Sequence, residues 1–330
     1  MAQFRVMGGV PLRGVIRAVG NKNSVLPLMA ASLVVDGTVK LTNVPKIRDV
    51  SKMAEIIQGL GAKVDGIGTN ELTIDPSGLS SWEPDAKLAS QLRGSILLAA
   101  PLLARFGKVV LPAPGGDSIG ERLLYTHFEL LSHLGIKVEG EHGSYELSGT
   151  AQPKQIFLDE ASVTATEMGL ILASTVPGTT VIEDAAGEPH VQDLARFLAN
   201  SGANITGAGT NTLTIEGTKG LRGIEHSVVN DYIEVGTFVI ATAITGGETK
   251  IIGAQERDLK IILSYLSQMG VEFSLEGEVL EVRKSELVAR RRQFKTRPWP
   301  GFPTDLMSAF IVLATQTKGT VLCHDWMFEW

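Results

Sequence analysis

Three short stretches of the sequence collect residue types that could bind or convert an anionic substrate. The first is Gly20-Asn21-Lys22-Asn23-Ser24, directly ahead of an apolar run. Backbone N–H groups at a helix start attract anions, and a lysine there adds a point charge. A plain helix cap with a solvated lysine fits the same residues. The second is Pro112-Ala113-Pro114-Gly115-Gly116-Asp117-Ser118-Ile119-Gly120-Glu121-Arg122. It carries three glycines, two prolines, the carboxylate of Asp117 and the guanidinium of Arg122 in eleven residues; an ordinary connector with Asp117 as a cap is the competing reading. The third is Phe302-Pro303-Thr304-Asp305. Asp305 has the form of an N-cap. Asp231, Glu234, Arg93 and Glu167 open other apolar runs in the same way. If those helix starts converge, several charged groups meet in one cleft, the usual form of an active site.

Other chemistry is poorly supported. The single cysteine, Cys323, excludes an intrachain disulfide and a cysteine-based metal site. It falls in an expected strand and reads as a small core residue. His127, His133, His142, His190, His226 and His324 form no ligand spacing. The run 283–297 is basic, but the whole chain carries a net charge of −6 and the run lacks interleaved aromatics. A solvated loop is the better reading, and no nucleic-acid partner is expected. The N-terminus has no signal-like apolar region, and no apolar run approaches a membrane span. A cytoplasmic protein without a membrane partner is therefore expected.

The elements that must position these residues repeat. Gly61, Gly135, Gly202 and Gly270 each follow an amphipathic stretch, at separations of 74, 67 and 68 residues. Upstream, Gly37, Gly107, Gly178 and Gly247 each open a strand, 24, 28, 24 and 23 residues before their partners. The long spacing of 28 marks an insertion at the Pro112–Arg122 segment, and longer loops often carry function. Gly319 opens a fifth strand. Apolar helices are expected near 25–34, 95–104, 167–176, 234–244 and 305–315, buried on every side. Amphipathic helices are expected near 50–60, 121–134, 190–200 and 258–269, each ended by a glycine at C′. Short hairpins follow, across Gly68-Thr69-Asn70 and Gly207-Ala208-Gly209. The unit is β-α-β-α-β-β, about 70 residues long, too long for common solenoid repeats of about 20–50 residues. A layer of helices inside, with sheets and outer helices around it, would bury the apolar helices. With 330 residues, 44% apolar and 20% charged, the chain is large enough for two such domains.

Phe4-Arg5-Val6, Gly20-Asn21-Lys22-Asn23, Leu41-Thr42-Asn43-Val44-Pro45-Lys46, Leu60-Gly61-Ala62-Lys63-Val64, Leu103-Ala104-Arg105-Phe106-Gly107, Glu188-Pro189, Ile233-Glu234 and Phe302-Pro303-Thr304-Asp305 occur in a set order. By their order and spacing the chain resembles the enolpyruvyl transferase family, in the branch that acts on a UDP-sugar. The resemblance implies an inside-out α/β barrel fold, two domains of three βαβαββ repeats. It places one three-repeat domain at 22–229 and a second at 1–21 with 230–330. Only four complete units and about half of a fifth fit within 330 residues, so the second domain is expected to lack its last repeats.

The implied reaction moves enolpyruvate from phosphoenolpyruvate to the 3′-hydroxyl of UDP-N-acetylglucosamine and releases phosphate, with no metal or cofactor. By resemblance Lys22 and Arg122 contact phosphoenolpyruvate, and Asp305 is the base near the attacking hydroxyl. Asn23, Arg93, Ser162, Val163, Asp231 and Met327 fall at substrate-binding positions. Asp117 stands where most members carry a reactive cysteine, the target of fosfomycin. A carboxyl group is a poor nucleophile beside a thiolate, so insensitivity to fosfomycin is expected. Leu123-Leu124-Tyr125-Thr126-His127 departs from the usual Pro-Val-Asp-Leu-His, and Tyr232, Gly187 and Arg48 replace common basic residues. The shikimate-phosphate branch fits less well, because its lysine-serine start is not matched at Asn21-Lys22-Asn23-Ser24. A non-catalytic UDP-sugar-binding or partner-binding relative is the alternative from another functional class. Oligomeric state is not encoded in any of these features.

Overall fold

The structure is a computed structural model and describes residues 3–115, 124–140 and 143–327. The chain divides into two compact units. One is Gly20–Val229; the other joins Met1–Val19 to Asn230–Glu329.

In the Gly20–Val229 unit the apolar runs do become buried helices. Every residue from Ser24 to Ala31 of the Lys22–Ala31 helix is buried, as is every residue from Ala165 to Ser174 of Val163–Ser174. Both helices begin earlier than hydropathy suggests, because their first turns hold the polar residues that follow the cap. The expected helix at 95–104 is instead a 3-10 turn, Arg93–Leu98, running into an α-helix, Ala99–Phe106. Pro101 has no N–H to give to Leu97, so the α-type ladder cannot run through that junction. The second helices, Arg48–Gly59, Tyr125–His133 and Pro189–Ser201, each bury one stripe.

Three sheets enclose these helices, and their strands alternate buried and exposed positions, as one-sided sheets do. Their orders are Glu225–Ser227, Val39–Thr42, Glu71–Asp75, Lys63–Asp65; then Lys108–Pro112, Ser144–Ser148, Lys137–Glu139; then Gln155–Phe157, Gly178–Glu183, Thr212–Gly217, Asn204–Thr206. The sheets are separate and open-ended, so the fold is inside-out α/β without a closed barrel ladder. The first strand of a repeat lies parallel to the second, and the remaining pairs are antiparallel. The four C′ glycines all take the left-handed backbone: Gly61 at φ 104°, Gly135 at 91°, Gly202 at 125° and Gly270 at 89°. The hairpins repeat in atomic detail. Thr69 Oγ1 donates to Gly66 O at 2.8 Å and Thr210 Oγ1 to Gly207 O at 2.8 Å, three residues back in each case.

The other unit has a four-stranded sheet in the order Arg13–Arg17, Glu248–Ile252, Val279–Val282, Phe273–Glu276, and a parallel pair, Gln293–Lys295 with Leu322–His324. Its helices depart from the expectation of burial on every side. Tyr232–Ile244 and Met307–Thr315 pack on each other, but Ile311 and Val312 remain 45% and 48% exposed. Among the described residues of this unit, no third helix covers that face. The basic run is surface chain interrupted by the Gln293–Lys295 strand, whose Phe294 is wholly buried. Cys323 lies half-buried in the partner strand, and burial pushes its thiol up.

Candidate active site

In the Gly20–Val229 unit the site residues sit where helices begin. Asn21 is the N-cap of the Lys22–Ala31 helix; its Oδ1 accepts from the N–H of Asn23 at 2.7 Å and of Ser24 at 3.3 Å. The cap reading of this segment therefore holds, and it leaves Lys22 at the first helical position with its amine outside. There Lys22 Nζ pairs with Asp49 Oδ2 at 3.1 Å, both side chains partly exposed. Such an exposed pair contributes about 0.2–1 kcal/mol. An arriving phosphate can therefore exchange with Asp49 for the ammonium at small cost.

One turn into the same helix a buried polar network fixes its direction. Ser24 Oγ donates to Asp193 Oδ2 at 2.5 Å, and the N–H of Val229 reaches the same oxygen at 3.2 Å. Asp193 Oδ1 lies 3.1 Å from His226 Nε2 and 3.0 Å from Arg196 Nη2. Burial alone would push the Asp193 carboxyl up. The contacts of His226, then Ser24 and Arg196, outweigh it and hold the carboxyl below its ordinary value. One carboxylate thus ties the Lys22 helix to the Pro189–Ser201 helix and the Glu225–Ser227 strand. Sequence reasoning missed it. The signal was a charged residue on the apolar i, i+4 row of Pro189, Asp193 and Phe197.

Arg93 opens the 3-10 turn beside that helix and is half-buried. A Cβ on the neighbouring Gly94 would come within 3.0 Å of Leu26 Cδ1, so this turn packs against the first turns of Lys22–Ala31. Ser162 is the N-cap of Val163–Ser174; its Oγ accepts from the N–H of Ala165 at 3.4 Å. Thr164, next to Val163, places Oγ1 2.7 Å from His127 Nε2. Lys22, Asn23, Arg93, Ser162 and Val163 are thus all at or beside element starts, and the Arg93–Leu98 turn packs against both the Lys22–Ala31 and Val163–Ser174 helices. Asp117 and Arg122 lie outside the described residues.

In the other unit Asp231 caps Tyr232–Ile244, accepting from the N–H of Ile233 at 2.9 Å and of Glu234 at 3.1 Å. Burial pushes its carboxyl up; the two backbone N–H groups oppose this, and the charges of Glu234 and Asp305 add to it. Tyr232 is buried with its ring edge-on to Trp299 at 6.3 Å. Asp305 does not cap a helix, contrary to the sequence reading. Pro303 precedes the Thr304–Leu306 3-10 turn, and Asp305 lies within that turn, exposed. Because Pro303 has no side-chain acceptor, the turn is uncapped and the Asp305 carboxylate stays available. Met327 follows Asp325 and Trp326. The Asp325 carboxylate accepts from Thr304 Oγ1 at 2.7 Å and from Thr296 Oγ1 at 2.8 Å. This unit therefore gathers Asp231, Asp305 and Met327. Among the described residues, no group of three or more His, Cys, Asp or Glu is placed to hold a metal ion. None of the described helices is long and apolar enough to cross a membrane.

The model of the EPSP synthase (3-phosphoshikimate 1-carboxyvinyltransferase) family matches residues 6–326. The chain belongs to this family, the enolpyruvyl transferases. It is similar to the UDP-N-acetylglucosamine 1-carboxyvinyltransferase of Treponema denticola, with 43% identity over 336 residues, covering 100% of this chain and 79% of that one. It is 41% identical over 338 residues to the enzyme of the same name from Bradyrhizobium diazoefficiens, covering 99% of this chain and 78% of the other. Among solved structures, the enolpyruvyl transferase NikO from Streptomyces tendae superposes with a TM-score of 0.85 at 23% identity, covering 96% of this chain and 76% of that chain. An EPSP synthase from Acinetobacter baumannii gives 0.70 at 18%, covering 95% and 73%. These two likenesses concern the fold.

Proposed function

We propose that this chain transfers the enolpyruvyl (1-carboxyvinyl) group of phosphoenolpyruvate to the 3′-hydroxyl of UDP-N-acetylglucosamine, in the synthesis of peptidoglycan precursors. The observation that carries the reading is 43% identity, across the whole chain, to a relative with that name. Asp305 takes the proton of the sugar hydroxyl as its oxygen bonds to C2 of phosphoenolpyruvate. Asp117 gives a proton to the methylene carbon, which completes a tetrahedral ketal. Loss of a proton from that carbon, with departure of phosphate, restores the double bond. Lys22 and Arg122 hold the phosphate and carboxylate charges. Asn23, Arg93, Ser162, Val163, Asp231 and Met327 hold the sugar nucleotide.

A carboxyl group can serve as the acid at residue 117 if its surroundings keep it protonated. The only cysteine of the chain, Cys323, is in another strand, so no thiol is available at that loop. Insensitivity to fosfomycin follows, and the cytoplasm is the compartment proposed for the reaction. The test is phosphate release from phosphoenolpyruvate, with and without UDP-N-acetylglucosamine. Release that depends on the sugar nucleotide, and that Lys22→Ala and Asp117→Ala both abolish, supports the reading. Sugar-nucleotide binding by calorimetry without any phosphate release would instead make the chain a binding protein.

A further inference from the structure

We infer that Asp325 is a positioning residue that sets Asp305 and Met327 in one arrangement. This rests on the roles proposed for those two residues. Asp325 reaches back to two segments, 29 and 21 residues before it. Its Oδ1 accepts from Thr296 Oγ1 at 2.8 Å and its Oδ2 from Thr304 Oγ1 at 2.7 Å. Thr296 has no solvent exposure, so this arm is anchored in the core. Two further bonds join the same strands: the Thr296 N–H donates to His324 O at 3.1 Å, and Trp326 Nε1 donates to Thr296 O at 2.9 Å. Residues 324–326 are thus stitched to Thr296, and Met327 comes next.

The other arm governs Asp305. Thr304 begins the 3-10 turn that carries Asp305, and that turn has no side-chain cap. Leu306, on the far side of Asp305, is buried, and a Cβ on Gly236 would come within 2.7 Å of its Cδ2. Packing therefore fixes the turn after Asp305, and the hydrogen bond to Asp325 fixes it before. A carboxylate suits this bridge because both oxygens accept at once, in different directions. Removing it frees the Thr304 arm and the Met327 arm together. Removing one threonine hydroxyl frees one arm.

The experiment compares Asp325→Ala, Asp325→Asn, Thr304→Val and Thr296→Val with the wild-type chain, by steady-state phosphate release and by calorimetric binding of UDP-N-acetylglucosamine. Asp325→Ala is expected to lower kcat tenfold or more and to raise the sugar-nucleotide KM. Asp325→Asn, which keeps the volume and one acceptor oxygen but turns the other into a donor, retains one arm and recovers part of the losses. Thr304→Val affects kcat more than KM; Thr296→Val affects the sugar-nucleotide KM more than kcat. A purely structural role would not split the two parameters in opposite ways. Wild-type kinetics in Asp325→Ala, or equal losses in all four variants in proportion to their melting temperatures, overturns the inference. If the wild-type chain binds the sugar nucleotide without turnover, the reading as an enzyme fails by itself. Asp325→Ala must then weaken binding fivefold or more; unchanged binding overturns the inference. A wild-type chain that neither binds nor turns over overturns both.

Discussion

Acidification from pH 7 to pH 5 should cost the folded chain about 2 kcal/mol through one side chain, His190. His190 follows Pro189 in the first turn of Pro189–Ser201 and is 4% exposed. Neither ring nitrogen has a hydrogen-bond partner among the described residues. Burial lowers its pKa from 6.5 to about 4, against a smaller upward pull from Asp193. A positive charge near a helix N-terminus is also disfavoured by the helix dipole. Between those two values the unfolded chain binds the proton and the folded chain does not, so stability rises with pH across that window. The contribution is fully present above 6.5 and is lost as pH falls through 4. The whole gap corresponds to about 3 kcal/mol at about 1.4 kcal/mol per tenfold change in proton affinity, and about 2 kcal/mol of it falls between pH 7 and pH 5. The perturbation is His190→Leu, which removes the titrating ring and two buried polar atoms without hydrogen bonds. Urea unfolding followed by circular dichroism at pH 5, 6 and 7 gives the stability of both proteins. The wild type should lose about 2 kcal/mol more than the variant between pH 7 and pH 5. All other titrating groups are common to both proteins and cancel in the difference. Parallel stability curves would refute the reasoning, because His190 would then be proton-free or protonated alike in both states.

Four further outcomes are expected. Glu167 is 1% exposed, and burial, then the charge of Glu188, pushes its carboxyl well up; its contribution is present at low pH and lost as pH rises. Glu167→Gln should therefore gain melting temperature over the wild type as pH rises from the ordinary value of 4.5, and a difference that does not change with pH would count against it. Asp193→Ala leaves Ser24, His226 and the Val229 N–H without their acceptor and should cost about 3 kcal/mol in denaturant unfolding. Asn21→Ala should cost about 1 kcal/mol of stability as a lost cap, without tightening phosphoenolpyruvate, whereas Lys22→Ala should raise its KM tenfold or more. Preincubation with fosfomycin should leave the chain active, and Asp117→Cys should make inactivation time-dependent, as read by residual phosphate release.

The parts legible in the sequence were those fixed by local chemistry. A left-handed residue after a helix is easiest for glycine, so Gly61, Gly135, Gly202 and Gly270 marked four helix ends, and all four have positive φ. The turns latched by Thr69 and Thr210 were visible from their glycines for the same reason. What stayed hidden depends on partners far along the chain. Glu225–Ser227 pairs with Val39–Thr42, and Arg13–Arg17 with Glu248–Ile252. Strands as short as Glu225–Ser227 or Gln293–Lys295 carry too little alternation to announce themselves. The starts of Lys22–Ala31 and Val163–Ser174 precede the apolar runs, because hydropathy begins at the first apolar residue and the cap lies before it. Burial of Met307–Thr315 was overestimated, because an all-apolar sequence states what a helix tolerates and not how many neighbours it has. In the candidate site, Lys22, Asp231 and Asp305 could be picked out as charges at helix starts. Asp49, Asp193 and Asp325 could not, since each matters through a side chain it meets only in the fold.

That difference alters how the anion is held. The sequence of Gly20 to Ser24 allows two readings, backbone N–H groups offered to an anion or a plain helix cap beside a solvated lysine. In the structure Asn21 occupies two of those groups, Asp231 does the same for Ile233 and Glu234, and Ser162 for Ala165. The helix starts are largely satisfied before any ligand arrives. What remains for a phosphate or carboxylate is side-chain charge, placed by the caps but not supplied by them. Lys22 already rests on Asp49, in an exposed pair that is cheap to break. Such a site exchanges one anion for another with little reorganisation, which suits a reaction in which phosphate must leave after the bond to sugar has formed. It also makes binding sensitive to salt, since Lys22 is partly open to solvent and its attraction is screened. The caps therefore hold the helix starts of each unit, and on the proposed reading the charged residue beside a cap, as Lys22 beside Asn21, is what meets the substrate.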